Sequence, residues 1–550
     1  MHINHKILLK ILIIFCVIDL INIPVLKSQI IWENNNAPVY NYLDRMAQKG
    51  IVEFNNIIQP QTRSNIDLAL KQIREKDSLL TKIEKIELNY YQREYKLNAF
   101  ERDSISFLNK DENKRWRFIN VNNKEFNIKA DPLIGIKNYW IDNKHINQSS
   151  NGFQLFGTIG SKRRWGFQVY YRDFTEVGNI SSNNRNSNNE KGIVIIGDKT
   201  ENKINYSILN TNLSYQFKNG TISIGSEPIN WGIGENGKII LSEKAPNFPY
   251  LRLDYKPIKW LAFNYFNAWL NSNIIDSIHN YSTHTNNVMG DIRYFYLPKY
   301  LASHSIIFTP KKGLDFAFGE SIVYSDRMDP GFLLPINLFK IYDNNRSNYL
   351  INAGSNGQYF FQINSRNQIK NTHLYFSMFI DEIKISSILD KQKSRNQLGY
   401  TIGVNITDLF INYFTFGAEY TRINPFVYSN LIPAQNYTQY NYKLGDWMGS
   451  NSDRFIFFTK FTPYPNLRIY TRYQITRKGD EGTIYQQYLI QPQPAFLFNK
   501  QNQTESLFIR LNYEFLNNIY FNLSFEKMNT SNIQINYTTN QVQMGISLGL

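Results

Sequence analysis

From about Lys114 to the last residue the chain alternates apolar and polar positions with a period of two. In one stretch Leu209, Thr211, Leu213, Tyr215 and Phe217 form one face and Asn210, Asn212, Ser214 and Gln216 the other. Lys218-Asn219-Gly220 then turns the chain and Thr221 to Gly225 returns, the signature of a hairpin. Leu467, Ile469, Thr471, Tyr473 and Ile475 likewise oppose Arg468, Tyr470, Arg472 and Gln474. Leu507, Ile509, Leu511, Tyr513 and Phe515 oppose Arg510, Asn512 and Glu514, with Phe508 as the exception. Val542, Met544, Ile546, Leu548 and Leu550 carry the alternation to the end. Side chains alternate across a strand, so each segment predicts a strand with one apolar face.

Between Ala37 and about Ser104 the period is helical instead. Val39, Leu43, Met46 and Ala47 share a face, and Gly50 stands where a C-terminal cap belongs. A second helix is expected from about Ser64, burying Ile66, Ala69, Leu70 and Ile73. A third is expected from Ser78 as N-cap, through Leu79, Ile83, Ile86 and Tyr90. Ahead of them, Lys6 and Lys10 precede the apolar run Ile11 to Ile18, which is too short to span a membrane. Residues 1–28 therefore read as a secretory signal peptide. Phe15 stands where a lipidated Cys16 would need a small neighbour, so lipidation is discounted.

An exported chain of alternating strands is either a soluble sandwich or an outer-membrane barrel. In the first the apolar face is the core; in the second it meets lipid and the polar face lines the lumen. Segments of about ten residues, aromatics near their ends (Tyr170, Tyr171, Trp260, Tyr265, Trp269), and a signal peptide without a membrane helix favour the barrel. The expected fold is mostly β, a large closed antiparallel outer-membrane barrel of about sixteen to eighteen strands behind a small helical domain. The expected division is 1–28 signal peptide, 29–110 periplasmic helical domain, and 111–550 barrel with an internal loop around 229–250.

Composition changes this picture little. Hydrophobic content is 42%, with 37 Tyr and 38 Phe, so the chain is not disordered. The formal charge is +15, but Lys and Arg are scattered without the short basic run of a nucleic-acid patch, and no nucleic-acid partner is expected. Cys16 is the one cysteine; the mature chain has no disulfide or cysteine metal site to stabilise it.

The stretch Trp231 to Tyr250 contains G-x-G-x-x-G at Gly232, Gly234 and Gly237. A dinucleotide fingerprint needs a helix opening on it to hold pyrophosphate. Pro246 and Pro249 follow within a dozen residues and forbid such a helix. The glycines read instead as a closely packed loop within or against the barrel.

Four blocks, "APVYNYLDRMAQKGIV" (37–52) with "QTRSNIDLAL" (61–70), "WGIGENGKIILSEKAPNFPYLRL" (231–253), "EYTRINPFVY" (419–428) and "LGDWMGSNSDRFIFF" (444–458), make the chain similar to the Wzi-like capsule assembly family in its Bacteroidota form. The resemblance covers nearly the whole mature chain. It implies an eighteen-stranded outer-membrane barrel with a small periplasmic helical bundle, and a lectin-like role in organising or retaining capsular polysaccharide or exopolysaccharide.

No G-x-S-x-G or H-E-x-x-H occurs, and no enzyme, cofactor or metal centre is expected. Asp446 and Asp453 border a loop that could offer oxygen ligands to calcium, but too few are aligned. Sugar recognition asks for aromatic faces, planar polar groups, and Arg or Lys for uronate carboxylates. The blocks supply Trp231, Glu235, Lys244 and Arg252; Glu419, Tyr420, Arg422 and Asn424; and Asp446 with Trp447. The plainer reading makes each of these a lumen ion pair, plug packing or a girdle aromatic, with Arg252 and Arg422 both directed into the lumen. The expected function is non-enzymatic polysaccharide binding by a monomer in outer-membrane lipid; the alternative is a transport channel or porin.

Overall fold

The computed structural model describes residues 30–96, 103–179, 202–284, 290–350, 354–383, 390, 395–516, 518–532 and 535–549. The expected signal peptide and Cys16 lie outside them. A hairpin of β1 (Ser104–Lys110) and β2 (Trp116–Asn122) leads into the wall. The wall begins with β3 (Phe126–Ile141), β4 (Lys144–Ile159), β5 (Trp165–Gly178), β6 (Lys203–Phe217), β7 (Gly220–Ser226) and β8 (Pro249–Ile258). It continues with β9 (Leu261–Ile275), β10 (Tyr296–Lys311), β11 (Leu314–Ser325), β12 (Asn356–Arg366), β13 (Thr372–Ile383) and β14 (Asn396–Thr407). It closes through β15 (Phe414–Ile423), β16 (Ser452–Tyr464), β17 (Leu467–Lys478), β18 (Asn502–Leu516), β19 (Ile519–Asn532) and β20 (Asn536–Leu548).

Among the described residues eighteen antiparallel strands, β3 to β20, form the closed barrel. Each pairs with its neighbour in sequence, and β20 returns to β3 with Leu548 opposite Ile134 and Gln541 opposite Ile141. That closure leaves the first half of β3 without β20 as a neighbour. There β2 takes over, pairing Ile119 with Ala130 and Asn122 with Asn127, so the hairpin covers the step left where a staggered barrel meets itself.

Exposure decides between sandwich and barrel. Leu209, Ile224 and Ile546 are 53%, 57% and 59% exposed, while the polar Ser214 and Ser223 of the opposite face are each 1% exposed. An apolar outer face and an enclosed polar one is the pattern of a wall that meets lipid. No helix among the described residues is long and apolar enough to cross a membrane.

Three helices sit at one end of the barrel. α1 (Val39–Gln48) is closed off by Gly50, φ +70°, with the Ile51 N–H donating to Met46 O, a Schellman closure that a left-handed residue permits. Thr62 caps α2 (Arg63–Glu75). Thr81, with Glu84, forms a capping box for α3 (Lys82–Tyr95). Ser78 therefore does not cap α3; it lies in a one-turn 3₁₀ helix, Asp77–Leu79. The buried face of α3 also differs from the expected one: Glu84, Glu87, Leu88, Tyr91 and Tyr95 are buried, whereas Leu79 and Ile86 are exposed. The reason is ionic. Glu87 pairs with Arg45 and Glu84 with Lys49 of the neighbouring segment, and these paired charges hold the face that apolar counting would turn outward.

The helices are bolted to the barrel. Lys49 also pairs with Asp408 at 2.9 Å, and the Tyr413 hydroxyl donates to Thr81 Oγ1 at 2.7 Å, both in the β14–β15 turn. Glu94 of α3 accepts from Arg63, Arg115 and Arg117 at 2.6–3.0 Å. Burial alone would raise the Glu94 carboxyl, but Arg117, Arg63 and Arg115 outweigh it and hold it well below its usual range. The turns that join strands at this end are short, and the longer connections, such as 424–451 and 479–501, gather at the other.

Candidate functional site

Between β7 and β8 the chain leaves the wall, and 227–248 folds into the lumen. Ile58 and Gln59 pair as a short strand with Trp231 and Asn230, so the N-terminal segment and this plug are hydrogen-bonded together inside the barrel. Ile229, Trp231, Ile239, Ile240, Leu241 and Phe248 form one buried cluster with Phe266, Phe360 and Phe379 of the wall. Trp231 is 1% exposed, with ring centroids 5.5 Å from Phe266 and 5.6 Å from Phe360. It fills core and presents no face to a ligand.

The G-x-G-x-x-G glycines are explained by close packing at one point. Gly237 has φ +154°, and a Cβ there would lie 2.4 Å from Asp446 Oδ2. Asp446 accepts two hydrogen bonds from Arg454, at 3.1 and 2.9 Å, and Arg454 lies 3.7 Å from Glu419. Glu419 in turn accepts the Glu235 N–H at 2.8 Å and the Tyr375 hydroxyl at 2.7 Å. The Glu235 carboxylate reaches Lys460 at 2.9 Å. Trp447 Nε1 donates to Asn236 O at 2.5 Å, and the Asn236 amide donates to Gln474 at 2.9 Å. The plug tip is thereby tied to β15, β16 and β17 at once. Glu419, Asp446 and Trp447 are anchors of this tie.

Arg252 faces inward and braces the N-terminal segment. Its guanidinium stacks 4.0 Å above Trp32, pairs with Asp254 at 2.8 Å and donates to Pro60 O at 3.3 Å. Arg422 corrects the expectation that both arginines enter the lumen. Glu419, Thr421 and Ile423 are the buried, inward positions of β15, so Tyr420 and Arg422 take the outward phase. Arg422 lies 3.8 Å from the Phe496 ring and donates to Asn424, and the Tyr420 hydroxyl donates to Asp453. Asp453 also accepts from Arg477 Nε at 2.9 Å. Asp446 and Asp453 thus serve opposite faces of the wall, each on its own arginine, and do not converge on a cation.

On the far side of the plug the lumen stays open as a chamber of about 640 Å³. Its walls are inward positions of β3 to β6 and β17 to β20, and its inner side is the plug at Glu235, Asn236, Glu243 and Lys244. Of the proposed binding residues only Glu235 and Lys244 border it. The residues that dominate it were not singled out from the sequence: Lys137, Arg172, Tyr470, Arg472, Phe508 and Arg510. Four of them, in β17 and β18, lie in the polar phase noted above, and Phe508 is the aromatic that breaks that phase. An aromatic in a polar phase is the signal that could have found them.

Glu227, at the root of the plug, is buried. Its carboxyl accepts from Tyr250 at 2.6 Å, Gln168 at 2.7 Å and Asn212 at 3.1 Å. Burial pushes it up to about 7, against the pull of these donors and Arg252. Among the described residues no group of three or more His, Cys, Asp or Glu could hold a metal ion.

Eighteen strands, a helical cap and a lumenal plug define a barrel of the outer-membrane kind. No protein-family model matches the chain, and no curated protein matches it. Among solved structures it is similar to Escherichia coli Wzi, titled an outer-membrane protein involved in group 1 capsule assembly and a carbohydrate-binding β-barrel, with TM-score 0.59, 13% identity, and coverage of 95% of this chain and 100% of that one. Pseudomonas aeruginosa OccK8 (OprE) aligns at TM-score 0.41 and 11% identity, over 76% of this chain and 97% of its own. OccD3 (OpdP) of the same organism aligns at 0.43 and 10%, over 76% and 90%. At 13% identity the likeness to Wzi is one of fold.

Proposed function

We propose that this chain is a non-enzymatic outer-membrane protein, a Bacteroidota form of the Wzi-like capsule assembly family, that holds capsular polysaccharide or exopolysaccharide at the cell surface. In this reading residues 1–28 direct export, the helices of 29–110 lie in the periplasm, and the barrel that follows is embedded as a monomer in outer-membrane lipid. The observation that carries it is the plug: a segment packed on Phe266 and Phe360 and tied to Lys460, Arg454 and Gln474 suits a protein that holds a polymer better than one that passes solutes. The full-length likeness in fold to a carbohydrate-binding barrel, Escherichia coli Wzi, supports the same reading.

Two measurements test it. Deletion of the gene should release polysaccharide from cells into the medium, and restoring the gene should reverse the loss. The purified protein should need detergent, migrate faster unheated than boiled because its closed hydrogen-bond ladder resists detergent, and give no steady large conductance in planar bilayers. Steady large channels with normal polysaccharide retention would replace this reading with the transport channel.

A further inference from the structure

The chamber beside the plug has a sign of charge and a set of side chains that fit one ligand class. Five basic residues line it against three acidic ones. Two of those acids are already paired, Glu235 with Lys460 and Glu526 with Arg472 at 3.3 Å. Arg510 is exposed to the chamber's solvent and makes no ion pair among the described residues. The Tyr470 and Phe508 rings lie 5.3 and 5.8 Å from its guanidinium, holding it by cation–π attraction while its N–H groups stay available to an acceptor. A cleft lined by one sign of charge within low-dielectric walls concentrates the opposite charge. The rest of the lining is rich in planar amides, among them Gln148, Asn512, Asn522, Gln541 and Gln543, which can both donate to and accept from hydroxyls. At about 640 Å³ the space lies within the range of small-ligand sites.

We propose that this chamber binds a carboxylate-bearing sugar of an acidic polysaccharide, with Arg510 as the partner of the carboxylate and the amides as partners of the hydroxyls. In this proposal the sugar enters from the end opposite the helices. The proposal rests on the polysaccharide-holding reading and gives it a substrate class: a uronate-containing chain of which one residue enters the lumen, with the remainder left at the surface.

The test uses the full-length protein in detergent, with an oligogalacturonate and its methyl ester as probes, so that one backbone is compared with and without charge. Wild type should bind the acid form at least about tenfold more tightly than the ester, and the preference should shrink as salt is raised. Arg510→Gln should weaken the acid form by about tenfold or more, with binding of the ester unchanged. Unheated gel mobility equal to wild type certifies its fold, and Arg510→Lys should recover part of the preference. Equal binding of acid and ester, or an acid-form affinity that Arg510→Gln leaves intact, overturns the chamber site while the polysaccharide-holding reading survives. Competition by inorganic phosphate as strong as by the oligomer also overturns it, leaving a simple anion site. Binding of neither probe, together with normal retention of polysaccharide by cells lacking the gene, overturns both.

Discussion

The two halves of this lumen follow opposite rules. Where the plug docks, the inward wall positions include Phe266, Ala268, Leu301, Ala317, Phe360 and Phe379, all buried in one apolar cluster. Across the barrel the inward positions are Lys137, Gln148, Arg172, Arg472, Arg510 and Gln543. The expectation of an apolar outside and a polar inside is broken in the first half at these docking positions, which interrupt inward rows that are otherwise polar, as Gln358, Gln362 and Asn364 are on β12. On β12 both phases are apolar in part, Phe360 inward and Tyr359 and Phe361 outward, because one faces lipid and the other faces protein. A plug that must stay seated needs a dry wall, since burial of apolar area is what holds it. A chamber that must stay wet needs charges that remain solvated.

Breaking the dry half should have the largest effect. Trp231→Ala removes the largest side chain of the plug core, a change that costs roughly 3–5 kcal/mol in well-packed sites. The barrel should still form, because its strand ladder does not include Trp231, but the plug should loosen. Bilayer recordings should show new conductance steps with gel mobility preserved. A silent trace, with plug resistance to protease equal to wild type, would mean that the anchors alone hold it.

How much of this contrast was legible differs between the halves. Strand periodicity exposed the wall, because a face pointing at lipid must be apolar along its full length, as Leu209 to Phe217 and Leu467 to Ile475 are. The glycines of 232–237 could be assigned to tight packing, although only the structure names Asp446 as the neighbour of Gly237. The phase of "EYTR" was not legible. Both its faces carry polar or charged groups, Glu419 and Thr421 on one and Tyr420 and Arg422 on the other, so alternation alone gives no inside. The chamber was missed for a related reason: its residues come from eight strands distant in sequence, and each looks like ordinary lumen polarity by itself. In α3 the buried ion pairs of Glu84 and Glu87 reversed a face assigned from Leu79 and Ile86.

The anchors sharpen the comparison next. Asp446→Ala leaves Arg454 buried without its bidentate acceptor, a loss of about 3–5 kcal/mol for a broken buried pair. Asp446→Asn should lose less, because its amide oxygen can still accept from Arg454 and the guanidinium still balances Glu419 at 3.7 Å. Plug release should be larger in Asp446→Ala, read as protease cleavage within 227–248. Equal cleavage in the two variants would show that the local packing at Gly237, not charge, is what matters.

The third way concerns pH. Glu227 is held up to about 7 in the folded plug, from an ordinary value of 4.5. With a raised carboxyl the folded state binds more protons than the unfolded one between these values, so stability is greatest below about 4.5 and falls as pH rises to about 7. The difference amounts to about 3 kcal/mol. Plug opening should therefore be more frequent at pH 8 than at pH 5, and Glu227→Gln should flatten the profile. A profile unchanged in that variant would assign the dependence to another group.

The smallest effects separate two arginines that the sequence grouped together. Arg252 holds Trp32 and Pro60 O inside the lumen, and a desolvated cation–π contact contributes about 2 kcal/mol. Arg252→Gln should free the segment before α1 to proteolysis, with little change in saccharide affinity because Arg252 does not border the chamber. Arg422 faces outward beneath Phe496 and donates to Asn424, contacts of a partly solvated group that contribute about 1 kcal/mol or less. Arg422→Gln should leave acid-form binding, conductance and proteolysis as in wild type. If Arg422→Gln instead weakened retention by cells while Arg510→Gln did not, the polymer would be held on the outer rim around Tyr420 and Asp453, and the wet half of the lumen would be only a water-filled remainder.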